Sequence, residues 1–266
     1  MKLRGKTVLE YYVGQPTTVH LMLRPRHHAQ QAIVEETFHI DPPVAFSEYT
    51  DHHGNHCQRL ILPTGHITVT SQVEAIVTSH HTPDVPFPQF VLIENLPNEV
   101  LHYLLPSRYC QSDLGEIYQL AIDIVEPLIN GYEQVEAIRS WINTHISYEY
   151  NTTNSSTTAL DTVHQRMGVC RDFTHLAIAL CRALCMPARM TVGYSDKLKY
   201  VDLHAWFEVY LTDGWHTFDA VQAQTEGCRV VLGHGRDAAD VAMANQFGNA
   251  ELRYMQVKTE LIDEDL

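Results

Sequence analysis

The residues best suited to chemistry lie in three short blocks. The first, RMGVCRDFTHLAIALCRALCMPAR (Arg166 to Arg189), puts Cys170 at the mouth of an amphipathic helical pattern. A thiol attacks as its thiolate, and the unpaired N–H groups and macrodipole of a helix start favour that anion. The same N–H groups could hold the oxyanion of a tetrahedral intermediate. Gly168 can take a tight turn into the helix. Position alone leaves four roles open for Cys170: a small buried apolar residue, half of a disulfide, a metal ligand or a nucleophile. Cys181 and Cys185 lie deeper, on or near the apolar stripe, and gain nothing from the helix start.

The second and third blocks bring a histidine and a carboxylate. In DLHAWFEVYLTDGWHTFDAV, period-2 alternation puts His204, Trp206, Glu208 and Tyr210 on one strand face. A two-residue Asp213-Gly214 loop would pair Thr212 with Trp215, which places His204 and Asp219 on the same sheet face. In that register Glu208 faces Asp219, so strong coiling or a bulge must close the gap to His204.

The elements that position these groups fall into two halves. KTVLEYYV, TTVHLMLRPR, QAIVEETFHI, QRLILP and HITVTSQVEAIV are rich in β-branched and aromatic residues and are separated by turn-forming stretches, as expected of a small antiparallel sandwich or barrel. The proline-rich HTPDVPFPQF ends that pattern. From Ser112, SDLGEIYQLAIDIV and EQVEAIRSWINTHI place apolar residues at helical intervals, and Thr157 or Thr158 is a plausible N-cap for a short helix reaching Gly168. Pro187 ends the Cys170 helix, and strands follow at ARMTVGY, LHAWFEVYL and WHTFDAV. The tail reads as one more strand and an acidic end. The division falls at 1–105 for the β domain and 106–266 for the core.

The three blocks GVCRDFTHLAIALCRAL, DLHAWFEVYL and GWHTFDAV resemble the signature of the transglutaminase-like core superfamily, which includes animal transglutaminases and bacterial transglutaminase-like cysteine peptidases and is related to papain. YTDHHGN and LPSRYC resemble the bacterial group's N-terminal region. The resemblance covers nearly the whole chain, and the family's Cys, His and Asp fall on Cys170, His204 and Asp219. It implies an α+β fold: a papain/transglutaminase-like core, with a helix carrying Cys packed on an antiparallel sheet carrying His and Asp, preceded by a small all-β antiparallel domain. It also implies a cysteine hydrolase of peptide, isopeptide or side-chain amide bonds, working through an acyl-thioester. Transamidation on the same triad, or a non-catalytic binding module, are the alternatives. Trp141 or Tyr148 could add an oxyanion donor, though a structural role is the expectation for each. The chain departs from the family at Cys185-Met186, where Gly-Ile is common, so a non-glycine residue would bear the left-handed cap.

Composition narrows the partners. A formal net charge of -14 argues against nucleic acids and anionic membranes as partners, because both need clustered Lys and Arg. No signal peptide and no apolar run of about 20 residues stand out, so a cytoplasmic protein is expected, acting on a peptide or protein substrate. Its oligomeric state is unknown. Six cysteines without a repeated Cys-x-x-Cys pair suggest neither a disulfide scaffold nor a zinc site, and no cofactor is expected. No Asp-rich loop resembles a calcium site. The histidine-rich DHHGNHC and the pair His80-His81 read as polar loops. His175, His216 and Asp172 read as structural, and Arg171 and Arg189 as salt-bridge partners.

Overall fold

The computed structural model describes residues 1–27, 30–79, 87–128, 131–198 and 202–262. Its N-terminal half forms β1 (Lys2–Val13), β2 (Thr17–Leu21), β3 (Gln31–Asp41), β4 (Phe46–Thr50), β5 (His56–Leu62) and β6 (Gly65–Val77). Two 3-10 turns, Ile93–Asn95 and Asn98–Leu104, lead into α1 (Gly115–Val125) and α2 (Gly131–His145). Next come β7 (Ser147–Tyr148), α3 (Ala159–Gln165), β8 (Met167–Gly168) and α4 (Cys170–Ala183). The chain continues through β9 (Ala188–Ser195), β10 (His204–Leu211), β11 (Gly214–Phe218), β12 (Arg229–Gly235), β13 (Ala244–Phe247) and β14 (Ala250–Ile262). His80, His81 and the last four residues of the acidic tail lie outside the described residues.

Two four-stranded sheets, ordered β14-β1-β6-β3 and β13-β2-β5-β4, enclose one apolar cluster between Leu9, Tyr11, Val19, Leu60 and Val69. This is the sandwich that alternation implies. Residues 244–262 sit elsewhere than the division at 105/106 assigns them. β14 runs antiparallel along all of β1, from Lys2↔Ile262 to Val13↔Ala250, and β13 pairs with β2. Each supplies partners for backbone N–H and C=O groups that β1 and β2 would otherwise leave open at a sheet edge. Local periodicity carries no trace of such distant pairing. It also passes over β4, whose five residues are all exposed and show no alternation.

The second half packs α1, α2 and α4 on one face of a sheet ordered β11-β10-β9-β12. The other face meets the sandwich, where Tyr194 and Val230 pack against Leu3, Val73 and Val257. Helix α4 lies at the centre. Its residues from Asp172 to Arg182 are all buried, so the stripe read from sequence is only part of the covered surface. Arg182 is 3% exposed, and its guanidinium donates to the carbonyls of Ala188 (3.0 and 2.8 Å), Leu105 (3.1 Å) and Arg236 (2.7 Å) and to the Ser107 hydroxyl (3.0 Å).

The end of α4 carries strain. Cys185 adopts φ 61°, while its N–H donates to Arg182 O and the Met186 N–H to Cys181 O, closing a Schellman cap that favours glycine. Cys185 lies past the helix end and is exposed, so it does not extend the apolar stripe. Cys185→Gly is expected to stabilise the fold by about 0.5–1 kcal/mol, read as a higher urea midpoint with unchanged m. An equal or lower midpoint would remove strain as the explanation.

Candidate active site

Cys170 is the first residue of α4, and the start of that helix is fixed by Asp172. One carboxylate oxygen accepts from the Val169 N–H (3.0 Å) and the Thr153 hydroxyl (2.7 Å), and the other from the Arg171 guanidinium (2.9 and 3.1 Å). Gly168 serves this cap differently from the sequence expectation. It is not among the residues with positive φ; instead, a Cβ there would stand 2.8 Å from the Asp172 side chain. Gly168 also pairs in parallel with Tyr148 across β7 and β8, which brings the Tyr148 phenol to the backbone amide of Cys170.

The His204 ring is buried beside the Cys170 thiol, and its Nε2–H donates to Asp219 Oδ2 at 2.7 Å. With Nε2 committed, Nδ1 is the nitrogen left for the thiol. The strand register explains the reach to Asp219 without coiling or a bulge. Leu211 pairs with Gly214, so the loop is Thr212-Asp213, and Glu208 faces Thr217 rather than Asp219. The slip is two residues, which preserves the face. Continued one step beyond Phe207↔Phe218, the register sets Asp219 opposite Trp206, a diagonal neighbour of His204. Gly193 lies directly across from His204 on β9, where a Cβ would sit 2.0 Å from the Val230 carbonyl oxygen.

Asp219 is fully buried and fully used. Oδ2 also accepts from Arg229 Nη2 (3.1 Å), and Oδ1 from the Val221 N–H (3.1 Å). Burial works against its charge most strongly, yet His204 and Arg229 overcome this and hold the carboxyl down at about 2. Burial likewise pulls on His204, but Asp219 and Cys170 outweigh it and raise the imidazole to about 9.

Arg229 escapes a sequence reading because β12 approaches β9 from beyond the third block. Trp141 stacks on His145 (4.5 Å), with the Arg166 guanidinium 5.4 Å from its ring, and lines neither hollow at Cys170. Tyr148 instead stands at the site. His175 is buried, stacks on Tyr109 and accepts from the Ala238 N–H at 3.1 Å; burial lowers it to about 4. His216 bonds Asp213 at 2.6 Å from the opposite sheet face, and Arg189 pairs with Glu208 at 2.7 Å. In DHHGNHC, Asp51 organises the β4–β5 turn, and His53 bonds Tyr103 and Asp240. Among the described residues, no group of three or more His, Cys, Asp or Glu is arranged for a metal ion.

Around Cys170 the surface opens into two hollows. The larger, about 540 Å³, is walled by the 238–245 segment, Met190 and Leu203, with Arg108 and Arg171 among its polar residues. The smaller, about 200 Å³, is lined by Tyr148, Leu198 and Val221. Cys170, Asp202, Leu203 and His204 line both. Cys57, Cys110, Cys181 and Cys228 are buried, and burial pushes the Cys57 and Cys110 thiols up to about 11 and about 12.

Residues 118–220 match the transglutaminase-like superfamily model, and residues 14–78 match the bacterial transglutaminase-like N-terminal region. A crystal structure of a proposed cysteine protease from Cytophaga hutchinsonii superposes with a TM-score of 0.93 at 35% identity, covering 100% of this chain and 92% of that one. The chain is 25% identical to protein ML0607 of Mycobacterium leprae (strain TN) over 238 residues, 83% of this chain and 82% of that one. It is 26% identical to protein Rv2569c of Mycobacterium tuberculosis (strain ATCC 25618 / H37Rv) over 243 residues, 82% of this chain and 77% of that one. The chain belongs to the transglutaminase-like superfamily, with the bacterial-type N-terminal β region.

Proposed function

We propose that the protein is a cysteine hydrolase of peptide, isopeptide or side-chain amide bonds, with Cys170 as nucleophile, His204 as its proton partner and Asp219 orienting the ring. The carrying observation is the buried His204 ring set beside the Cys170 thiol, with its Nε2–H on Asp219 at 2.7 Å. Asp219 and Cys170 hold the His204 ring protonated to about pH 9, so the ring carries the proton that the leaving amine needs. The sulfur attacks the carbonyl carbon and forms the thioester as the C–N bond breaks. His204 gives its proton to the leaving amine, and then takes one from the water that releases the acid. The Cys170 N–H at the helix start faces the developing oxyanion, and the Tyr148 phenol now against that amide is its natural second donor. The partner is a peptide or protein.

No helix among the described residues is long and apolar enough to cross a membrane. The six cysteines are free thiols, as a reducing compartment such as the cytoplasm would keep them.

Cys185 provides the internal control for the nucleophile: it is exposed and past the end of the same helix. At neutral pH, iodoacetamide is expected to alkylate Cys170 at least about tenfold faster than Cys185, followed by peptide mass spectrometry. Cys170→Ala is expected to abolish turnover across a peptide and isopeptide library. Equal alkylation rates, or turnover surviving Cys170→Ala, would sink the assignment. Added amines that accelerate release from the acyl-enzyme would favour transamidation over hydrolysis.

A further inference from the structure

We propose that Asp202 selects a cationic group on the substrate, next to the carbonyl that Cys170 attacks. The proposal rests on the cysteine-hydrolase reading and adds the substrate's charge. Asp202 stands where the two hollows meet, lining both together with Cys170, Leu203 and His204. A group lying across the thiol in either direction therefore passes its carboxylate. Oδ1 accepts from the N–H of Leu203 at 2.7 Å, and no Lys, Arg or His of the described residues forms an ion pair with Asp202. The other acids at the site are already engaged: Asp172 caps α4 and binds Arg171, and Asp219 binds His204 and Arg229.

Of the neighbouring cations, His204 favours the charged form of Asp202 but is itself paired with Asp219. Arg171 is tied to Asp172 and Thr153, and Arg108, over the Tyr109 ring, reaches only the larger hollow. Asp202 is half-buried, and that burial raises its carboxyl above the usual range. A partly dehydrated carboxylate gains more from an incoming cation than one in water. With 32 acidic against 18 basic residues, the whole chain also draws cations toward the cleft. A lysine or arginine side chain and a free α-ammonium share this chemistry.

Two charged thiol reagents of similar size read the field at Cys170 without a known substrate. On the full chain, 2-(trimethylammonio)ethyl methanethiosulfonate is expected to modify Cys170 about tenfold faster than the 2-sulfonatoethyl reagent, each rate taken relative to exposed Cys185. Asp202→Asn is expected to cut that cation-to-anion ratio several-fold, and Asp202→Glu to retain it. An unchanged ratio in Asp202→Asn overturns the proposal. If iodoacetamide shows Cys170 no faster than Cys185, the nucleophile assignment fails, while the charge ratio still reports on Asp202. Turnover of lysine peptides then separates the sources. Loss on Nε-acetylation assigns the side chain, loss on Nα-acetylation assigns the α-ammonium, and loss on neither overturns the proposal.

Discussion

Asp219→Asn is expected to lower kcat/KM by about 10³–10⁴-fold and to move the alkaline limb of the pH profile below neutrality. The amide keeps the size of the carboxylate but not its charge. Asp219 Oδ2 is the acceptor for His204 Nε2–H and, with Cys170, is what lifts the ring to about 9 against its own burial. Without that charge, burial dominates, and the imidazole gives up its proton near or below its ordinary value. The wild type should therefore hold activity up to about pH 9, and the variant should lose it well before. A profile whose alkaline limb stays in place would mean that Asp219 does not set the ring's protonation.

The same pair shapes stability. The raised His204 contributes fully below the unfolded value of about 6.5 and loses its contribution as pH climbs through about 9. The depressed Asp219 contributes above the unfolded carboxylate range and loses its contribution as pH falls through about 2. Between about pH 4 and 6.5 both contributions are complete. Asp219→Asn should flatten the alkaline decline in urea midpoint.

Arg182→Met is expected to destabilise the protein by about 3–5 kcal/mol, the cost of removing one partner from a buried charged network. Its guanidinium joins the Leu105–Ser107 junction, the turn after α4 and the segment after β12. Methionine fills the volume and leaves the carbonyls of Ala188 and Arg236 without these donors. Arg182→Lys keeps the charge but cannot present a planar fork to so many acceptors, and should recover only part of the loss. A Met variant within about 1 kcal/mol of wild type, by urea denaturation, would show that water replaces the guanidinium at little cost.

The sequence carried the site further than it carried the scaffold. Residue types and period-2 parity put His204 and Asp219 on one face, and parity survives a register slip of two. The slip itself was invisible, because TDG admits a two-residue loop at either Thr212-Asp213 or Asp213-Gly214. The strained cap at Cys185 was legible because its glycine was missing. Arg229 and Asp202 were not. Arg229 depends on strand order, and Asp202 on the meeting of two hollows, neither of which has a local signature.

The return of the last strands to the first has a kinetic consequence. β1 meets β14 across a loop that spans almost the entire chain, so its closure is among the most separated contacts a chain of this length can make. During synthesis the N-terminal half must wait, with β1 and β2 each lacking a neighbour, until residues 244–262 have emerged from the ribosome. The sandwich that precedes the core in sequence is thus completed only after the core has been made, and the nascent chain spends that interval with open strand edges available to chaperones or to one another.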